Sequence, residues 1–315
     1  MKAATILTPL HTQIMEFLEH IEVERNLSRL TIRNYRHYLS RFADWFSQDG
    51  RQDIKELDLE GVRKYRMYLA HFTDIHEKGL TKRTQGYHVI ALRSFLKWLI
   101  KNDYPVLAPE KIDLPKAESY QMHFLDRDKL ARLMSQPLLS TAAGLRDRAM
   151  LEVLFSTGLR VSELVRLDRS DVDTKRREFG VIGKGRRARV VFLSEDAAHF
   201  VDQYLVSRSD PWKPMFIRMN KGGTTPLESG SDDSMRLTTR SVQRIVEKYV
   251  KGAKLPIKIT PHGLRHSFAT DLLHNGAGLR DVQELLGHKN ISTTQIYTHV
   301  TRADLRSVHE KFHGK

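Results

Sequence analysis

Four short segments in the second half of this chain gather cationic and nucleophilic side chains in unusual local settings. In the first, Ser156-Thr157-Gly158-Leu159-Arg160-Val161-Ser162-Glu163-Leu164, Gly158 is suited to end one helix in the left-handed conformation and Ser162 to cap the next. Arg160 then sits in a tight turn between helices, where its planar fork of donors suits a phosphate. A surface arginine paired with Glu163 fits the same spacing. The second segment places Lys184 between Gly183 and Gly185, and an idle, solvent-exposed lysine is the plain alternative there. The third, Thr260-Pro261-His262-Gly263-Leu264-Arg265-His266, reads as an N-cap and a first-turn proline. His262 and Arg265, three apart, then share a face of the first turn, where free amides and the helix dipole attract an anion. The fourth ends a helix at Gly287, puts His288 just after it, and opens a new helix at Ser292, whose spacing to Gln295 is that of a capping box. Tyr297 falls in the second turn of that helix. Alone it reads as packing; beside cations it could be a nucleophile.

The elements that must position these residues divide the chain in two. From Leu10 to about Asn102, apolar residues recur at helical spacing, as in Ile14, Phe17, Leu18 and Ile21, then Tyr35, Tyr38, Leu39, Phe42, Trp45 and Phe46. Ser28 and Thr81 stand where N-caps belong, ahead of Thr31 to Phe46 and Thr84 to Ile100, and no strand-like alternation interrupts. The expectation is a small domain of four or five helices over residues 10–102. Its polar faces carry Arg29, Arg33, Arg36 and Arg41, then Lys82, Arg83, Arg93, Lys97 and Lys101, a set that reads equally as a solvated surface or as phosphate contacts. Between Asp103 and His123 the periodicity stops and Pro105, Pro109 and Pro115 break any crossing helix, so residues 103–123 read as a linker. Helical spacing returns from Leu125. Between Glu178 and Leu193 two β-rich runs flank Gly183-Lys184-Gly185, which predicts a β-hairpin. Asn220 to Met235, rich in Gly, Ser, Thr and Asp, reads as a flexible loop. The fold class expected is mainly α with a small β-hairpin, in two domains.

Composition narrows the partners. Lys and Arg outnumber Asp and Glu by 52 to 38, giving a formal charge of +14 over 315 residues, which favours a polyanion, nucleic acid first. The absence of cysteine excludes disulfides, thiolate metal sites and a cysteine nucleophile, in keeping with a reducing cytoplasm. No apolar stretch approaches the ~20 residues that span a bilayer, and the first ten residues are too short of apolar length for a signal peptide. The expectation is a cytoplasmic protein with no membrane partner.

Taken in order, the four segments resemble the tyrosine recombinase (phage integrase) family, whose signature runs Arg, Lys on a β-hairpin, His-x-x-Arg, His or Trp, then Tyr. Arg160, Lys184, His262, Arg265, His288 and Tyr297 fill those places, and the wording TGLRVSELV, HGLRHSFAT and LLGHKNISTTQIYTHV is similar to the Xer subgroup in particular. One departure is the Asn220 to Met235 insertion, longer than that subgroup leads one to expect. The resemblance implies a helical N-terminal domain that clamps double-stranded DNA, with Arg33, Arg36, Lys82, Arg83 and Arg93 as its candidate contacts, and a catalytic domain over residues 124–300. It implies attack by Tyr297 on a DNA phosphate with no metal and no nucleotide cofactor. His262 would accept the proton, Arg160 and Arg265 hold the non-bridging oxygens, His288 add a hydrogen bond, Lys184 protonate the leaving oxygen, and Glu163 orient Arg160. It further implies a tetramer on two paired sites, of this chain or with a related recombinase, and a Holliday junction between the two exchanges, with a DNA translocase of the division septum as a candidate further partner. Residues 301–315 carry an apolar stripe of Leu305, Val308 and Phe312 that would dock on a neighbouring protomer or fold back on its own domain. A type IB topoisomerase, a mobile-element integrase and a non-catalytic DNA-binding protein are the competing readings. The first would relax supercoils without Holliday junctions, and the last would have no need of Tyr297.

Overall fold

Side-chain caps fix most helix starts among the described residues. In the computed structural model, which describes residues 8–114, 123–183, 188–220 and 230–287, Ser28 and Thr81 accept the backbone N–H of Thr31 and Thr84, so α2 runs Arg29–Gln48 and α4 Lys82–Lys101. With α1, Pro9–Val23, and α3, Leu59–His71, they form the helical unit at the start of the chain. Its core is aromatic: Phe42, Phe46 and Tyr65 are fully buried, with ring centroids 5.1–5.3 Å from Phe42. Such tilted and edge-on pairs add ~0.5–1.5 kcal/mol each beyond their area. The segment read as a linker is partly ordered against this core. Tyr104, Val106 and Leu107 pack on it, a 3₁₀ turn spans Pro109–Lys111, and Ile112 is 1% exposed. Prolines stop a helix, but they do not stop a chain from packing.

The second unit, residues 121–315, is built around α6, Ala142–Thr157, which is buried on nearly every side and so carries no single apolar stripe. Against it pack α8, Glu195–Val206, and α11, Pro261–His274. Between α6 and α8 come the short α7, Val161–Leu164, and an antiparallel hairpin of β1, Glu178–Ile182, and β2, Ala188–Phe192. Its register pairs Phe179 with Val191 and Val181 with Arg189. The remaining helices are α5, Arg127–Met134, α9, Asp232–Met235, α10, Thr239–Gly252, and α12, Leu279–Leu286. The chain is thus mainly helical with one two-stranded sheet among the described residues.

Two local expectations are corrected. Ser162 lies inside α7 and caps nothing; the start of that helix is held by the Glu163 carboxylate, which accepts the Arg160 N–H at 2.9 Å. The Asn220 to Met235 segment does not end as a loop: Ser231 caps the helical turn α9, and the Arg236 guanidinium behind it bonds Asp168 and the carbonyls of Val165 and Leu167. The intervening residues 221–229 lie outside the described residues.

Candidate active site

Gly158 and Gly287 each end a helix at positive φ, 58° and 63°. An L-residue other than glycine pays ~1–2 kcal/mol in that conformation. At Gly158 there is no room either, because an added Cβ would fall 2.4 Å from the Phe268 ring. These two turns bring Arg160 and Gly287 to one place, and α11 supplies the third element through Thr260, which accepts the Gly263 N–H, and Pro261 at its first position.

Three guanidinium groups converge on the C-terminal end of α12. Arg160 donates to the Gly287 carbonyl at 3.3 Å, Arg189 to that of Leu285 at 3.2 Å, and Arg265 to that of Leu286. The last carbonyls of a helix have no intrahelical partner and carry its negative dipole end, so cations are the partners they favour. Arg265, 1% exposed, also donates to the carbonyl of Gly158, and so joins the two glycine turns.

A single carboxylate, Glu163, stands between two of these cations. Arg160 donates to its Oε1 at 2.9 Å, and Arg189 donates to Oε1 and Oε2 at 3.1 and 2.8 Å. Burial by itself would push this carboxyl up. The Arg189 hydrogen bonds, the Arg160 N–H, the charge of Arg189 and the hydrogen bond from the Arg160 guanidinium outweigh it and bring Glu163 down to about 2, so it is an anion throughout the physiological range. The side chain of Arg160 stays 32% exposed while that of Arg189 is 12% exposed. Of the pair, Arg160 is the one left open to a ligand.

His262 lies in the first turn of α11, exposed at its outer edge and packed at its base against the buried His266 ring, centroids 4.4 Å apart and nearly perpendicular. Partial burial, then the charges of Arg265 and Arg160, hold it below the usual imidazole value. The shift favours the neutral imidazole, the form able to accept a proton. The site is a cluster of guanidinium groups with an imidazole beside it, a set of groups that can bind an anion and move a proton. Among the described residues no group of three or more His, Asp or Glu could hold a metal ion, and no helix is long and apolar enough to cross a membrane.

The structure thus brings together Arg160, Glu163, His262 and Arg265, while Lys184, His288 and Tyr297 lie outside the described residues, as does the 301–315 tail. Arg189 is not among the candidates that residue spacing suggests. The signal was present: Arg189 is two residues from the inward Val191 and opposite the buried Val181, so strand alternation turns it toward the interior.

In the first unit, considered by itself, Arg33, Arg36, Lys82 and Arg83 are exposed and Arg93 is half-buried. Arg83 donates to the Tyr87 hydroxyl at 2.9 Å, and Tyr87 stacks with Tyr38 across α4 and α2. Arg41 departs from the solvated set, since its guanidinium lies 4.0 Å over the Phe72 ring.

Comparison with known proteins gives the family. Residues 123–304, more than half of the chain, match the phage integrase family, and residues 14–103 match the phage integrase N-terminal SAM-like domain. The chain is 35% identical over 319 residues to tyrosine recombinase XerC of Oceanobacillus iheyensis, covering 98% of each. It is 34% identical over 307 residues to tyrosine recombinase XerD of Staphylococcus epidermidis, covering 97% of this chain and all of the other. The fold is shared with the XerH site-specific recombinase bound to palindromic difH substrate in a post-cleavage complex, at TM-score 0.68 and 22% identity over 94% of this chain and 83% of that one. The chain belongs to the phage integrase family and is a tyrosine recombinase.

Proposed function

We propose that this chain is a site-specific recombinase of Xer type that binds double-stranded DNA, resolves chromosome or plasmid dimers in the cytoplasm, and does so through Tyr297. The observation that carries the reading is the meeting of Arg160 and Arg265 on the carbonyls of Leu286 and Gly287, beside His262, whose imidazole partial burial and their charges hold below its usual value. Tyr297 follows Gly287 by ten positions of sequence. In the reaction the Tyr297 hydroxyl, with a reference pKa near 10, gives its proton to His262 as its oxygen attacks the scissile phosphorus. Arg160 and Arg265, with His288, stabilise the charge that grows on the non-bridging oxygens. The bond from phosphorus to the 5′-oxygen breaks, and Lys184 supplies that oxygen's proton. A 3′-phosphotyrosine and a 5′-hydroxyl result, so the bond energy is kept and a 5′-hydroxyl of the partner duplex can reverse the step. Two such exchanges, with a Holliday junction between them, require two sites and four protomers, with the 301–315 tail as one contact between neighbours. A second recombinase and a septal DNA translocase are the further partners this role would involve.

The test uses a duplex nicked so that cleavage is trapped. The full chain should form a denaturant-resistant protein–DNA adduct, and Tyr297→Phe should bind the same duplex but form none. An adduct that persists in Tyr297→Phe would overturn the assignment. Holliday junctions with paired sites would separate the reading from a topoisomerase that only relaxes supercoils.

A further inference from the structure

A carboxylate next to a phosphate-binding arginine is a chemical liability, because it competes for the same guanidinium that the reaction needs. Glu163 is such a group, 6% exposed and 2.9 Å from Arg160. Its second cation, Arg189, comes from the far strand of the hairpin and binds both carboxylate oxygens while its Nε donates to Leu285. The aliphatic stem of Arg189 lies against Gly287, where an added Cβ would be 3.1 Å from its Cδ. One side chain thus touches the carboxylate behind Arg160, the end of α12, and the turn whose carbonyl Arg160 uses.

We propose that Arg189 is a positioning residue for the cleavage reaction: by satisfying Glu163 it leaves the charge of Arg160 available to the scissile phosphate, and by bonding Leu285 it fixes the end of α12 relative to the hairpin that carries Lys184. Two cations share one anion, so the cluster keeps a net positive charge at its exposed member. Without Arg189 the buried carboxylate has Arg160 as its remaining guanidinium partner, and an ion pair of that kind is costly to break. Arg160 would then be drawn toward Glu163 and away from the ligand. A lysine could supply the charge but not the two parallel donors. This inference rests on the reading of Arg160 as a phosphate ligand.

The experiment measures single-turnover cleavage of the nicked duplex by the full chain, together with duplex affinity. Arg189→Ala should slow cleavage by about 10- to 100-fold, the range in which partners behind reacting groups act, with affinity unchanged, and Arg189→Lys should fall between. The decisive variant is the double Glu163→Gln, Arg189→Ala. Removing the unbalanced carboxylate should return part of the rate lost in Arg189→Ala, whereas a side chain that serves only packing gives losses that add. If Arg189→Ala does not fold, Arg189→Lys with and without Glu163→Gln makes the same comparison. Additive losses, or a wild-type rate in Arg189→Ala while Arg160→Ala is slow, would overturn this proposal alone. A wild-type rate in Arg160→Ala would overturn the phosphate reading and this proposal with it.

Discussion

Arg160 donates to the carbonyl of Gly287 across 127 positions of sequence, at 3.3 Å, while another nitrogen of the same guanidinium holds Glu163 at 2.9 Å. Two of its donors therefore fix the plane of the group, and the exposed remainder faces the ligand. A lysine at this position has one point of charge to serve all three. Arg160→Lys should lower the single-turnover cleavage rate by about 10²- to 10³-fold, the cost of losing one donor to a developing oxyanion, with duplex binding little changed. Rates of the two proteins measured on the same nicked duplex decide it, and equality would mean that charge alone suffices here.

Lys184 as general acid can be told apart from Lys184 as phosphate ligand by changing the leaving group. Lys184→Ala should slow cleavage of ordinary DNA by about 10²- to 10⁴-fold. With sulfur in place of the bridging 5′-oxygen the leaving group is a thiolate, whose conjugate acid has a pKa near 8.5, and no proton need be supplied. Lys184→Ala should then approach the wild-type rate, while Arg160→Ala stays slow. If sulfur does not rescue a folded, DNA-bound Lys184→Ala, the lysine is holding the phosphate.

Glu163 makes stability depend on acid. Its folded value of about 2 lies below the 4.5 of an unperturbed glutamate, so its contribution is complete above the unfolded value and is lost as pH falls toward the folded one. The shift corresponds to a contribution on the order of 3 kcal/mol. Denaturant unfolding of the wild type should therefore weaken between about pH 5 and pH 2. Glu163→Gln should be less stable at pH 7 and flatter across that window. Parallel curves for the two proteins would place the acid sensitivity elsewhere.

The basic residues of the first unit have a test in salt. If Arg33, Arg36, Lys82, Arg83 and Arg93 contact phosphates, the log of the binding constant falls with the log of salt concentration by about 0.9 per contact. Replacing Arg33 and Arg36 together by alanine should reduce that slope by about 2. An unchanged slope would make these residues part of a solvated surface, as Arg41, held over Phe72, already is not.

Much of this was legible in one dimension because the signals are local. A cap acts over three residues, so Ser28, Thr81 and Thr260 announce their helices, and a glycine in the left-handed conformation ends a helix wherever it falls, so Gly158 and Gly287 mark the turns. Residue order likewise identifies the family. What failed at this range was the cap of α7: Ser162 lies inside that helix, and the Glu163 carboxylate, which Arg189 from another element also holds, accepts the Arg160 N–H. The packing of Tyr104 to Ile112 and the helical turn at Asp232–Met235 were hidden for a related reason, since each depends on contacts that lie outside its own segment.

The sequence by itself determined which side chains could do chemistry and which turns hold them, because caps, glycine turns and strand alternation depend on neighbours a few residues away. Only the tertiary structure decided that Arg160, Arg189 and Arg265 meet on the end of α12 and that one buried carboxylate links two of them. The physical reason is that unpaired helix carbonyls and a buried anion are satisfied by whichever cations the packing of α6, α11, α12 and the hairpin brings within about 3 Å, a distance that residue spacing along the chain does not contain.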